Sequence, residues 1–148
     1  MDIIMTMTPD PGRLMKRIKE DAAGAQRAGM INLVATIEAL AVKSAPKKTS
    51  NLARTRTTSV FAAGSRGTIA FTAPYAGFVH EGTGLYGPHK TKIVPKSKQA
   101  LFWPGAGHPV RAVKGMKARP WLKIAAGDVK VDEVFQEGMQ NYLKSKGD

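Results

Sequence analysis

An apolar stripe over residues 14–40 constrains this chain most, because it is longer than a small domain can cover. Apolar or small residues recur along it at steps of three and four, the spacing of one helix face: Leu14, Ile18, Ala22, Ala25, Gly29, Leu33, Ile37 and Leu40. Asp10 can cap the helix, Pro11 suits its first position, and Pro46 requires it to end earlier. A helix from Pro11 to Ser44 would be about 50 Å long at ~1.5 Å per residue. We therefore expect part of it to pack on a second copy or on a partner.

The residues that follow have the pattern of an antiparallel hairpin. Threonine, valine and phenylalanine favour a strand over residues 55–61, and apolar and polar side chains alternate over residues 68–73. The AGSRG stretch between them has the composition of a turn. Pro74 ends the second strand, and YAGFVHEG behind it predicts one or two helical turns.

A long basic loop comes next. Residues 84–110 are rich in glycine, proline and lysine, and they predict an extended loop or hairpin. Short strands are expected inside or beside it, near residues 92–94, 100–103 and 110–113. Prolines at positions 95 and 104 restrict any such strand to an edge.

The chain then predicts two helices at its C-terminal end. A short helix is expected to begin at Pro120, and Asp128 can cap a final helix that runs to about Lys144. The whole order predicts one α+β domain over residues 1–148, with a flexible N-terminus over residues 1–9. In this fold the long N-terminal helix and the C-terminal helix pack on a small antiparallel sheet.

The composition excludes several kinds of site. Because the chain has no cysteine, it has no disulfide framework, no cysteine-ligated metal and no thiol nucleophile. No apolar run approaches the roughly 18 residues that a membrane span needs, so we expect no membrane association. The opening MDIIMTMTPD begins with an acid and is not expected to act as a signal peptide.

Charge is distributed unevenly along the chain, whose formal net charge is +12. Between Ala39 and Gly127 there are fifteen lysines and arginines, and Glu81 is the single acid. This asymmetry favours a negative partner, which can be nucleic acid or an acidic protein surface, although a merely solvated basic surface has the same composition. Four lysines stand at even spacing where an extended segment would line them along one side: Lys90, Lys92, Lys96 and Lys98.

Catalytic and metal-binding patterns are weak. His80 and Glu81 are adjacent, so on a helix they point roughly 100° apart and do not converge on one atom. A metal site built from His80, His89 and His108 has no recognised ligand spacing. The glycines around Ser65 lack the spacing of a phosphate-binding loop. The sequence therefore argues against an enzyme, and we expect no cofactor.

Four motifs in a fixed order resemble those of a known protein family. They are APKKTSNL (45–52), YAGFVHEGTG (75–84), IVPKSKQALFW (93–103) and VKGMKARPWLKIA (113–125). This chain resembles the small head–tail joining, or tail-completion, proteins of long-tailed bacteriophages and prophages. Three positions depart from the family's usual pattern: Ser50 stands where glycine is usual, Trp121 where phenylalanine is common, and His80 where an acid is usual.

The resemblance implies structural work. Such proteins form a ring, commonly sixfold, at the head-proximal end of the tail, where they meet the tail-tube protein and the head-closure protein. DNA passes through the lumen without sequence-specific recognition, and the protein resides in the virion after assembly in the host cytoplasm. The residues that carry the signature here are Pro46, Leu52, Tyr75, Gly82, Thr83, Arg119, Pro120 and Trp121.

Some of these residues have expected local roles. Gly82 and Gly84 would supply positive φ at a turn, and Trp121 would anchor the final helix in the core. The Arg119 side chain is expected to bond a nearby carboxylate or carbonyl. The alternative to a ring component is a sequence-independent DNA-binding protein, and a metal-dependent enzyme is a more distant third.

Overall fold

A computed structural model describes residues 10–47 and 50–147. The helices are α1 (Pro11–Ser44), α2 (Asn51–Arg54), α3 (Ala76–Glu81), α4 (Trp121–Gly127) and α5 (Val131–Lys146). The strands β1 (Arg56–Phe61) and β2 (Arg66–Phe71) pair as a two-stranded antiparallel sheet. This is the α+β class that the sequence predicts. The predicted flexible N-terminus, residues 1–9, lies outside the described residues.

Helix α1 has the boundaries that its sequence predicts. The Asp10 carboxylate accepts a hydrogen bond from the Gly12 amide at 2.9 Å and a longer one from the Arg13 amide at 3.4 Å. These bonds satisfy amides of the first turn, which have no partner inside the helix. The helix ends at Ser44, two residues before Pro46, because a proline disfavours helical backbone in the residue that precedes it.

The described chain divides into two compact units. The first comprises the described residues of Met1–Thr36, Thr58–Thr68 and Lys130–Asp148, and the second those of Ile37–Thr57 and Ile69–Val129. This division does not test whether residues 1–148 form a single domain, which stays a prediction.

In the first unit, α5 packs closely on α1 at a glycine. Gly138 is buried, and a Cβ at this position would lie only 2.8 Å from the Ala28 carbonyl oxygen. The Asn32 side-chain amide donates a hydrogen bond of 2.8 Å to the Val134 carbonyl oxygen across the same contact. The two helices therefore approach backbone to backbone, which any larger residue at position 138 would prevent.

In the second unit, a small core forms around Trp121. Its buried members are mostly alanines, which lets several elements approach closely: Ala41, Ala45, Leu52, Ala73, Ala76, Trp121 and Ala125. Leu40, Phe71, Val79 and Leu122 pack against this cluster and are partly buried. Because alanine side chains are small, the large indole of Trp121 fills the space between these elements.

The predicted capping role of Asp128 is wrong. Helix α4 continues to Gly127, and the Asp128 amide donates to the Ile124 carbonyl oxygen at 3.0 Å, so Asp128 ends α4. Helix α5 begins only at Val131, and Lys130 precedes it without a side-chain cap. Asp128 has helical backbone angles here, whereas a capping residue needs non-helical ones.

The three predicted short strands are also wrong as strands. Two isolated antiparallel bridges stand in their place, Ile93 with Val113 and Leu101 with Val110. These bridges are nested, so the chain between them follows a hairpin course. Prolines at positions 95, 104 and 109 remove amide donors, and a continuous ladder cannot form around them.

Candidate functional site

Three of the four motifs contribute buried residues to the core of the second unit. The first motif contributes Ala45 and Leu52, the second contributes Ala76, and the fourth contributes Trp121 and Ala125. Leu52 and Trp121 are 2% and 3% exposed. These residues therefore have a packing role, and the motifs mark separate parts of the chain that meet in this core.

Four other signature residues lie nearer the surface. Pro46 and Pro120 are half-buried, whereas Tyr75 and Arg119 are exposed. The Arg119 amide donates to the Val79 carbonyl oxygen at 2.9 Å. Within the described residues the Arg119 side chain makes no hydrogen bond or ion pair, so the predicted bond to a carboxylate or carbonyl is not formed there.

Trp121 is held by two aromatic rings. Phe71 meets it edge to face at a centroid distance of 5.6 Å, and His80 does so at 5.1 Å. Pairs of this geometry contribute about 0.5–1.5 kcal/mol each beyond the area they bury. The Trp121 indole nitrogen is buried and has no hydrogen-bond partner among the described residues. His80 therefore acts here as a packing partner of the core.

The corner after α3 is fixed by backbone contacts. Gly82 has a φ of 83°, and a Cβ there would lie 2.8 Å from the Tyr86 carbonyl oxygen and from the Ala118 amide nitrogen. Thr83 bonds Met116 twice: its amide donates to the Met116 carbonyl oxygen, and its hydroxyl accepts from the Met116 amide, both at 2.9 Å. Gly82 and Thr83 thus attach this corner to the chain that leads to α4.

His80 and Glu81 serve different surroundings. His80 packs on Trp121, while Glu81 lines an open cleft to which His80 does not contribute. The two side chains are therefore not arranged as an acid–base pair on one substrate position. The described residues contain no group of three histidines, aspartates or glutamates that could hold a metal ion.

The cleft lies beside the basic segment, which we define as residues 87–99. It has a volume of about 640 Å³, and its lining is contributed by α3, by the glycine corner and by the basic segment: Phe78, Glu81, Gly82, Thr83, Gly84, Gly87, Pro88, His89, Thr91, Lys92, Ile93, Val94 and Lys96. Sequence reasoning missed this cleft. The Ile93–Val113 bridge holds one wall of the cleft in place. The strand tendency of residues 92–94 and 110–113 was therefore the one sequence signal that related to the cleft.

The four lysines of the basic segment do not share one side, as an extended segment would require. Lys92 and Lys96 line the cleft, whereas Lys90 and Lys98 do not. Lys90 has a φ of 49°, and the chain bends over residues 96–100. Because the even spacing aligns side chains only where the backbone is uniformly extended, these two irregularities separate the lysines.

Among the described residues, no helix has the length and apolar character that a membrane crossing requires. Comparison with protein-family models, with curated proteins and with solved structures finds no match to this chain.

Proposed function

We propose that this chain is a structural protein of a tailed phage that forms an oligomeric ring at the head-proximal end of the tail. In this role it completes the tail and joins it to the head, with the tail-tube protein and the head-closure protein as partners. The ring is sixfold, DNA passes through its lumen without sequence-specific contacts, and the protein acts as a component of the virion after assembly in the host cytoplasm. It catalyses no reaction and carries no cofactor.

The exposed start of α1 is the observation that carries this proposal. Every residue of Pro11–Glu20 is exposed, including three large apolar side chains: Leu14 at 52%, Met15 at 54% and Ile18 at 52%. Burying the exposed half of such a side chain contributes about 1 kcal/mol. An apolar face that the described part of the chain leaves exposed in this way supports a protein that completes its packing in an assembly.

Two local features support the family resemblance behind the proposal. Three of the motifs supply most of the buried residues around Trp121, so these three belong to one packing arrangement. Ser50 stands where the family usually has glycine, and its φ of 55° is in the left-handed region that glycine favours. The backbone at this position therefore has the conformation for which a glycine would be selected.

The alternative, a sequence-independent DNA-binding protein, is favoured by the charge of the middle of the chain. Between Ala39 and Gly127, fifteen bases face a single acid. Such a protein binds DNA tightly and with a steep dependence on salt. A ring component through which DNA merely passes does not need this affinity, so a salt titration of binding to a DNA duplex separates the two functions.

Light scattering is the direct test of the proposed assembly. The purified protein is measured by multi-angle light scattering over a range of concentrations, alone and with the tail-tube protein encoded near it. We expect a defined oligomer in at least one of these conditions. A strict monomer in both conditions contradicts the ring, as does a genomic neighbourhood without capsid, head-closure and tail-tube genes.

A further inference from the structure

The cleft beside the basic segment has two unlike walls. Phe78 and Glu81 of α3 form one of them, and residues 91–94 with Lys96 form the other. Phe78 and Val94 are large apolar side chains that are 63% and 56% exposed. The volume of about 640 Å³ lies within the range of roughly 300–1,000 Å³ that is usual for binding sites. The cleft is therefore large enough for several residues of an extended peptide.

The charges of the cleft favour an acidic partner. Lys92 and Lys96 contribute two ammonium groups, and Glu81 is the single carboxylate in the lining. Within the described residues none of these three groups takes part in a salt bridge. Both ammonium groups are therefore available to carboxylates that a partner brings.

The backbone of residues 91–94 provides a free edge. Ile93 exchanges two hydrogen bonds with Val113, of 2.9 and 3.0 Å. In antiparallel pairing the residues on either side of such a pair, here Lys92 and Val94, direct their amides and carbonyls away from the paired chain. Among the described residues these two amides donate to no backbone carbonyl. An extended chain can add along this edge, as in recognition by strand addition.

We propose that this cleft binds an extended protein segment that carries acidic and aliphatic side chains on the same face, because Lys92 and Val94 are two residues apart and share one face of an extended edge. The segment adds along residues 91–94, its aliphatic side chains contact Phe78 and Val94, and its carboxylates pair with Lys92 and Lys96. This inference deepens the proposed function, and it rests on that function only in placing the segment on a neighbouring protein of the neck.

A nucleic-acid strand fits the cleft less well. Such a strand needs a groove of positive charge along its whole path and aromatic platforms for its bases. In this cleft aliphatic and glycine residues form much of the lining, so the positive charge of Lys92 and Lys96 does not continue along a path for a phosphate backbone. An oligonucleotide is therefore the competitor that the experiment must include.

The test uses the full chain and a fluorescein-labelled peptide of the sequence Asp-Ser-Val-Ser-Asp-Ser, in which the aspartates and the valine share one face. Binding is followed by fluorescence anisotropy at about 0.15 M salt, where long-range attraction is largely screened. The Lys92→Glu, Lys96→Glu double variant is compared with Lys90→Glu, Lys98→Glu. All four lysines are exposed, and both variants make the same change in net charge. We expect the first to weaken binding by about tenfold and the second by less than about twofold.

Two further arms test the apolar contact and the sign of the charge. Phe78→Ser should weaken binding about fivefold without lowering the unfolding temperature, because the ring is mostly exposed. A Lys-Ser-Val-Ser-Lys-Ser peptide should bind the Lys92→Glu, Lys96→Glu variant better than the wild type.

The proposal is overturned by equal weakening in both lysine variants, which would mean unspecific attraction to a basic protein. It is also overturned if a single-stranded oligothymidine displaces the peptide at equimolar concentration. These outcomes are independent of the assembly test: a chain that binds the peptide but stays monomeric with the tail-tube protein contradicts only the proposed ring.

Discussion

At the scale of single residues, Ser50 is the clearest case of a side chain at odds with its backbone. It precedes α2 with a φ of 55° and a ψ of 0°, and it makes no capping hydrogen bond with its side chain. A residue with a Cβ loses about 1–2 kcal/mol in this left-handed conformation. Glycine avoids that loss, although its greater freedom in the unfolded chain offsets about 0.4–1 kcal/mol. We predict that Ser50→Gly raises the free energy of unfolding by up to about 1 kcal/mol.

Ser65 provides the matched control in chemical denaturation. It is also an exposed serine beside a short turn, but its φ of −67° and ψ of −26° are ordinary helical values. Ser65→Gly should therefore lower the free energy of unfolding, by about 0.5 kcal/mol. If both variants lose stability by the same amount, the strain assigned to Ser50 is not present in the folded protein.

The glycines on either side of His80 and Glu81 should respond in opposite ways to substitution. Gly82 has a φ of 83°, and a Cβ added to it would lie 2.8 Å from backbone atoms of other residues. A Cβ added to Gly77 in α3 would meet nothing within 4 Å. We predict that Gly82→Ala lowers the free energy of unfolding by about 2–4 kcal/mol. Gly77→Ala should raise it by up to about 1 kcal/mol, because alanine favours a helix.

Thermal unfolding followed by circular dichroism measures both effects. His80→Ala is the companion variant, and it should cost about 1 kcal/mol through its lost contact with Trp121. Equal stability of the Gly82→Ala protein and the wild type would show that side chains, and not the backbone, determine this corner. His80 and Glu81 would then have to be considered again as a reactive pair.

At the scale of elements, periodicity and proline positions were enough to predict α1 and the hairpin. Their boundaries depend on local features, namely the Asp10 cap, the proline at position 46 and the alternation of β2 over Arg66–Phe71, whose burial alternates as predicted. The end of α4 could not be predicted in the same way. By composition Asp128 suits the end of α4 and the cap of α5 equally well, so the sequence does not distinguish these two roles.

The candidate site was less accessible to sequence reasoning than the fold. The motifs indicated the residues around Trp121, but they carried no sign that His80 would pack on its ring. The cleft depends on a long-range bridge between Ile93 and Val113, and a single bridge has almost no periodic signal. The separation of the four lysines into two pairs follows from backbone angles that the spacing of the residues does not determine.

Hydrogen exchange should distinguish the bridged residue from its neighbours in the basic segment. Fixing each residue of such a segment costs about 1–2 kcal/mol in backbone entropy. Ile93 is held by Val113, whereas the amides of Lys92, Lys96 and Lys98 have no backbone acceptor among the described residues. We predict that, in the free subunit, NMR-detected exchange is at least about tenfold slower at Ile93 than at these lysines. Uniformly strong protection over residues 90–98 contradicts this prediction.

At the scale of the whole molecule, the exposed start of α1 should control association. The Leu14→Ser, Ile18→Ser double variant removes two half-exposed apolar side chains that lie on one helix face. Each is expected to contribute about 1 kcal/mol to an interface, so the variant should bind its partner copy or the tail-tube protein about tenfold more weakly or worse. Light scattering under the conditions that assemble the wild type measures this loss.

The control variant uses the same turns of the helix and the same new residue. Lys16→Ser, Glu20→Ser removes an exposed ion pair with an N···O distance of 4.0 Å, which has the same spacing of four residues. Such a pair contributes about 0.3–0.5 kcal/mol to a helix, so both double variants should keep their helical circular dichroism signal. Association should fall only when Leu14 and Ile18 are replaced, because only their face carries the uncovered apolar stripe. Equal association of the two variants would place the assembly contacts elsewhere, and the length of α1 would then need a different explanation.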